Sequence, residues 1–189
     1  MTDDRRRTGW IFAIVGILVL QAGILYAMGR TPICTCGYVK FWHGIVQSSE
    51  NSQHITDWYT FSHVIHGLLF YFLTGLVFPR ASILARLAAA VLLEAGWELL
   101  ENSDLIIQRY RAGTISLNYY GDSIINSVSD NLTMIVGFVI AARAPVWSTI
   151  GLALFLEAWM AYVIRDNFSL NVLMLLYPLD AVRQWQTGA

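Results

Sequence analysis

Charge is what this sequence has least of: Asp, Glu, Lys and Arg make up 13% of 189 residues, while 56% are apolar. Soluble domains carry roughly a quarter charged residues, so an ordinary water-facing surface is excluded. A basic excess is also missing, since 12 Lys and Arg stand against 13 Asp and Glu, and without a basic face there is no electrostatic footprint for nucleic acid. Only four prolines are present, and no Pro-rich linker, internal repeat or low-complexity tract divides the chain. Gly-rich phosphate loops, a Gly-x-Ser-x-Gly elbow and a His-Glu-x-x-His zinc motif are all absent. What is present is apolar length. About 106 apolar residues fill roughly five spans of about 20 residues each. The expectation is an all-α polytopic membrane bundle, one domain over residues 1–189, with no room for a soluble domain.

The runs fall at about 10–28, 61–78, 83–100, 123–142 and 146–164. The first follows Arg5, Arg6 and Arg7 and is too long for a cleaved signal segment, so it reads as a retained anchor. Residues 168–179 are apolar but short and closed by Pro178, as suits a re-entrant or interfacial helix. Arg5, Arg6, Arg7, Arg80, Arg86 and Arg143 in short segments place the amino terminus in the cytoplasm of an inner membrane. Residues 29–60 and 103–120 then become large outer loops. Trp10, Trp42, Trp58, Trp147 and Trp185 lie near span ends, as interfacial aromatics do.

Ionisable groups inside spans cost several kcal/mol at the bilayer centre, so each marks a candidate site. His63 and His66 share a face of the second span at i, i+3; Glu94, Glu98 and Glu101 form an acidic stripe on the third at i, i+4, i+7; Asp122, Asn126 and Asp130 are spaced four apart at the start of the fourth. Glu157 lies in the fifth. With alternating helix directions these ends meet at one membrane face, where a polar cavity sunk into the outer leaflet keeps the groups away from lipid.

Imidazoles and carboxylates are ligands of zinc and iron, which makes His54, His63, His66, Glu94 and Glu98 candidate metal ligands. Glu101, Asp122 and Asp130 are then candidate catalytic groups, Glu101 or Asp122 acting as general base toward a metal-activated water. Two other readings use the same residues: a metal-free catalytic or lipid-headgroup site, and a structural network in which the carboxylates pair with Arg109, Arg111 or Arg165. Adjacent carboxylates on the stripe should not all ionise unless a cation neutralises them. Trp97 beside the stripe could wall a cavity. Ser62 next to His63 and Asp57 imitates a nucleophile triad, but neighbours on a helix point apart. Cys34-Thr35-Cys36 is expected to be too close for an easy internal disulfide. Its thiols would pair with a partner, bind soft copper, or serve as small loop residues.

The segments Pro32-Ile33-Cys34-Thr35-Cys36-Gly37-Tyr38-Val39-Lys40, Ser48-Ser49-Glu50-Asn51-Ser52-Gln53-His54, Asp57-Trp58-Tyr59-Thr60-Phe61-Ser62-His63, Trp97-Glu98-Leu99-Leu100-Glu101-Asn102-Ser103 and the run from Tyr119 to Asp130 resemble an uncharacterised family of alphaproteobacterial multi-pass membrane proteins. The resemblance runs through Ile164-Arg165-Asp166-Asn167 and implies an inner-membrane location, but no ligand or catalytic residue. From the residues alone, two functions stand: a metal-dependent hydrolase or transferase acting on a lipid or lipid-linked envelope substrate, and a non-enzymatic assembly factor or headgroup-binding accessory that docks through residues 29–60.

Overall fold

A computed structural model describes residues 3–188 as a helical bundle with one very short parallel strand pair. The long helices are α1 (Asp3–Ala27), α2 (Thr60–Val77), α3 (Ile83–Glu101), α5 (Ile124–Arg143) and α6 (Val146–Ile164). Three shorter ones, α4 (Asp104–Gly113), α7 (Phe168–Leu176) and α8 (Asp180–Thr187), decorate one end. Strand β1 (Trp42–His43) pairs with β2 (Thr56–Asp57) in register Trp42 to Thr56 and His43 to Asp57.

Local chemistry sets most helix starts. The side chains of Ser82, Ser123 and Asn167 accept from the backbone N–H groups of Ala85, Asn126 and Leu170, which satisfies donors that the first turn leaves open. Just ahead of α2, Asp57 accepts from Ser52 N at 3.0 Å and Tyr59 N at 2.8 Å and so fastens the long 29–60 loop to the helix it precedes.

Helices α1, α2, α5 and α6 are long and apolar enough to cross a membrane. α3 has matching length, but Arg86, Glu94, Glu98 and Glu101 set it apart by composition. The bundle is inside-out relative to a soluble protein. Phe12, Leu76, Trp147 and Tyr162 are strongly exposed, whereas all four histidines, Glu94, Glu98 and Asp130 are buried. An apolar exterior around a polar interior is the arrangement that embeds a protein in lipid.

α5 is the hub, touching α1, α2, α3 and α6. Its crossing with α2 is very close because two glycines face each other's backbones. A Cβ on Gly67 would lie 2.0 Å from the Met134 carbonyl, and one on Gly137 would lie 2.1 Å from the Val64 carbonyl. Small residues at such crossings let backbones approach where burial of apolar surface gives no drive. Below this crossing Ala90 and Val91 of α3 pack with Met134 and Phe138 of α5 as the dry core.

Four features differ from the sequence expectation. Residues 103–120 hold α4 rather than only loop, and the carboxy-terminal apolar piece ends at Leu176, with α8 following the Pro178 break. Residues 29–60 hold the strand pair. Cys34 and Cys36 form a disulfide with each other: Gly37, at φ +85°, turns the chain directly after them, and their Cα atoms lie 5.1 Å apart, inside the usual bridging range.

Replacing Gly67 or Gly137 with Ala is expected to destabilise the protein by about 1–3 kcal/mol or more through overpacking, read as a lowered unfolding midpoint in detergent. Gly96→Ala, with nothing within 4 Å of the new Cβ, should leave the midpoint unchanged or raise it slightly.

Candidate functional site

The first turns of α2 and α5 and the last turns of α3 meet at one end of the bundle. His63 and His66 descend from α2, Glu94 and Glu98 face them from α3, and Asp130 approaches from α5. His63 Nδ1 lies 2.5 Å from Glu94 Oε1 and 3.5 Å from Glu98 Oε1, while its Nε2 is 3.8 Å from Asp130 Oδ2. His66 Nδ1 is 3.0 Å from both Glu94 oxygens. The donors form two overlapping sets, His63 with His66 and Glu94, and His63 with Glu98 and Asp130. Within each set, one ligand atom per residue lies within 4.8 Å of the others.

Polar side chains buried in the spans hold this cluster. Ser127 Oγ donates to Glu98 Oε2 at 2.6 Å, Gln21 of α1 donates to Ser127, and Asn131 donates to Gln21 Oε1 at 3.0 Å. Thr60 Oγ1 contacts Asp130 Oδ1 at 3.4 Å. Glu98 Oε1 has no hydrogen-bond partner although it is fully buried. The sequence reading gave Gln21 no role. The signal available was a lone amide in an otherwise apolar run, whose partner only the packing of α1 against α5 reveals.

Arginine pairing does not neutralise the cluster. Arg109 donates to the carbonyls of Leu175 and Leu176, Arg111 to that of Leu117 and Arg165 to that of Trp185. Among the described residues, the salt bridges made by Lys and Arg are Arg30 with Asp104, Lys40 with Glu50 and Arg183 with Asp180, none at the cluster. Glu157 instead accepts from Phe168 N and Ser169 N and caps α7.

His54 lies elsewhere. Its Nδ1 accepts from Lys40 N–H at 3.2 Å, which leaves Nε2 to donate to Glu50 Oε2 at 3.0 Å, so both ring nitrogens are engaged. Lys40 Nζ sits 2.6 Å from the same Glu50 oxygen, and the hydrogen bond from Lys40 holds the Glu50 carboxyl down at about 2. In this second cluster an ammonium already fills the place of a cation, and the cluster ties the 29–60 loop together.

A cavity of about 640 Å³, counting its open mouth, runs from His63, His66 and Asp130 to Glu101 and Asp122, with Trp97 in its wall. Asp122 accepts from Asn102 Nδ2 at 2.6 Å and Tyr119 OH at 3.0 Å, yet burial raises its carboxyl to about 6. Tyr59 OH donates to Asp166 at 2.9 Å, and burial lifts Asp166 likewise to about 6. Burial, reinforced by these carboxylates, keeps the Tyr59 and Tyr119 hydroxyls well above the ordinary phenol range, so they remain donors. Ser62 Oγ lines the cavity without a hydrogen-bond partner, and the triad that its neighbours imitate in sequence is not formed.

Helical architecture, apolar exterior and buried polar cluster together define a membrane-embedded bundle with a polar interior. The chain belongs to the family described as "Protein of unknown function (DUF2585)", which matches residues 25–188. It is similar to UPF0314 proteins of Paracoccus denitrificans (59% identical, covering 97% of this chain and 95% of the relative), of Rhizobium etli strain CIAT 652 (56%, covering 97% and 94%) and of Agrobacterium fabrum (52%, covering 100% and 96%). No solved structure matches. The alphaproteobacterial resemblance is thereby established at family level.

Asp166 yields a pH prediction. Its folded-state value of about 6 lies above the ordinary 3.8, so the folded state gains from protonation at low pH and loses that gain as pH rises through about 6. Thermal unfolding in detergent should show stability falling between about pH 4 and 6. Asp166→Asn, which cannot ionise, should flatten that part of the profile.

Proposed function

We propose that this protein is a membrane-embedded metalloenzyme, a hydrolase or transferase acting on a lipid or lipid-linked envelope substrate. The observation that carries the reading is a cluster of two imidazoles and three carboxylates, His63, His66, Glu94, Glu98 and Asp130, closed off from lysine and arginine inside an apolar bundle. A divalent cation such as zinc or iron supplies the positive charge that this donor set lacks, and the donor types suit it.

His63, His66 and Glu94 would hold the ion, with Glu98 and Asp130 completing or flanking its shell. Bound there, a metal would supply Lewis acidity toward the substrate and toward water. Glu101 or Asp122, both lining the same cavity, would take a proton from a water that adds to an ester or phosphoester and return it to the departing alcohol oxygen as the ester bond breaks. Asp130, expected from sequence as a catalytic group, fits better as a ligand because it faces His63. His54 is not in the set.

The amino terminus lies in the cytoplasm in this reading, α3 serves as a fifth span in the inner membrane, and the cavity opens toward the outer leaflet. Support comes from Arg5, Arg6 and Arg7 ahead of α1, and from the exposed Leu92, Leu93 and Leu100 on the side of α3 away from its buried glutamates. A non-enzymatic docking role draws on a separate observation, the strongly exposed Phe41 and Ile45 in the 29–60 loop; stable copurification of a partner through that loop would favour it.

Elemental analysis of the purified full-length protein tests the metal. Close to one equivalent of zinc or iron is expected in wild type. His63→Ala and Glu94→Ala should each weaken metal binding by more than the 10–100-fold typical of losing a mere supporting contact. A protein without bound transition metal, or variants with unchanged metal content, would overturn the reading.

A further inference from the structure

The outer part of the cavity differs chemically from the histidine cluster. It is lined by Glu101 and Asp122, by the hydroxyls of Tyr59, Tyr110 and Tyr119, and by the indole of Trp97, and neither Lys nor Arg reaches it. Each tyrosine has already committed its proton: Tyr59 OH to Asp166 Oδ2 at 2.9 Å, Tyr110 OH to Asn171 Oδ1 at 2.7 Å and Tyr119 OH to Asp122 Oδ1 at 3.0 Å. Their hydroxyl oxygens can offer an incoming group only lone pairs. Asn51, also in the wall, has a buried Oδ1 without a partner, and so has Ser62 Oγ, on a residue only 7% exposed. The wall therefore presents acceptors and two carboxyl groups that no Lys or Arg meets. Buried acceptors left unmatched are costly, so the occupant this wall selects brings hydrogen-bond donors and positive charge.

We infer that the Glu101–Asp122 end of the cavity binds the primary ammonium group of an aminolipid headgroup. An ammonium carries three N–H donors and no acceptor, the complement of this wall. Trp97, one turn before Glu101 on α3 and in the same wall, gives it an aromatic neighbour for cation–π contact. An anionic headgroup meets two carboxyl groups and no Lys or Arg here, and a quaternary ammonium satisfies the charge but none of the acceptors. The inference rests on the lipid-active reading above and names its substrate class. It places the headgroup's amine at one end of the cavity and leaves the histidine cluster facing the rest of the lipid.

Native mass spectrometry of the full-length protein released from bilayer discs provides the test. Discs contain phosphatidylcholine mixed with equal phosphatidylethanolamine or phosphatidylglycerol. Retained phosphatidylethanolamine should exceed either of the other lipids by about 10-fold, a difference of about 1.4 kcal/mol, and Glu101→Gln and Asp122→Asn should each bring it close to the phosphatidylcholine level. Competition by free ethanolamine would show that the amine alone suffices; selectivity without such competition would show that the whole lipid is read, and either result supports the inference. Equal retention of all three lipids, preference for phosphatidylglycerol, or selectivity untouched by both variants would overturn it. Metal content measured on the same samples separates the two claims: lipid selectivity without metal overturns only the metal reading, and metal without lipid selectivity overturns only this one.

Discussion

Glu94 and Glu98 sit one turn apart on α3, fully withdrawn from solvent, against imidazoles that come from another helix. In a low-dielectric interior such charges need a counter-charge, a proton or a metal, and removing one partner leaves the other exposed to that cost. Much of the bundle follows from this requirement. α2 and α5 close tightly at Gly67 and Gly137, which brings His63 and Asp130 to the same level. Ser127, Asn131 and Gln21 extend the hydrogen bonding of Glu98 through α5 to α1, so the first helix, otherwise the most lipid-like, is pinned to the polar interior.

The same logic separates site from scaffold among the polar residues. Asp57, Glu157, Asn167 and Ser123 spend their acceptors on backbone N–H groups at helix starts. Glu50, Lys40 and His54 satisfy one another in the loop. Arg109 and Arg165 turn to carbonyls at the ends of α7 and α8, a favourable end for positive charge. Subtracting these, with His43 on Ser48 and Asp166 on Tyr59 and Gln186, leaves His63, His66, Glu94, Glu98, Glu101, Asp122 and Asp130 as the imidazole and carboxyl groups in the bundle interior. Of the carboxylates in that group, Asp122 accepts from uncharged donors, Glu101 lines the cavity, and Glu94, Glu98 and Asp130 lie against His63.

Much of this was legible in the sequence because the helical period and the membrane solvent both leave strong marks. The boundaries of α2, α3, α5 and α6 fall within a residue or two of the apolar runs, and the i, i+3 and i, i+4 spacings placed His63, His66, Glu94 and Glu98 on facing stripes before any packing was known. What sequence could not supply was tertiary. His54 precedes the second span closely enough to join the cluster, but β1 and β2 fold the loop back so that Lys40 and Glu50 capture it. Cys34 and Cys36 pair within a tight turn that the hydrogen bond from Gly37 N–H to the Cys34 carbonyl closes, a conformation that spacing alone does not announce. α4 and α8 are short and weakly apolar, held by contacts such as Tyr110 to Asn171 and Gln186 to Asp166, so no long periodic run marked them.

The central claim is that a metal sits among the imidazoles and carboxylates of α2, α3 and α5. The X-ray absorption spectrum of the metal-loaded full-length protein tests it most directly. The expected spectrum has a nitrogen and oxygen shell at about 2.0–2.2 Å, outer-shell scattering from imidazole rings, and loss of the imidazole features in His63→Ala. A sulfur shell at about 2.3 Å, or a spectrum unaltered by His63→Ala, would contradict the claim.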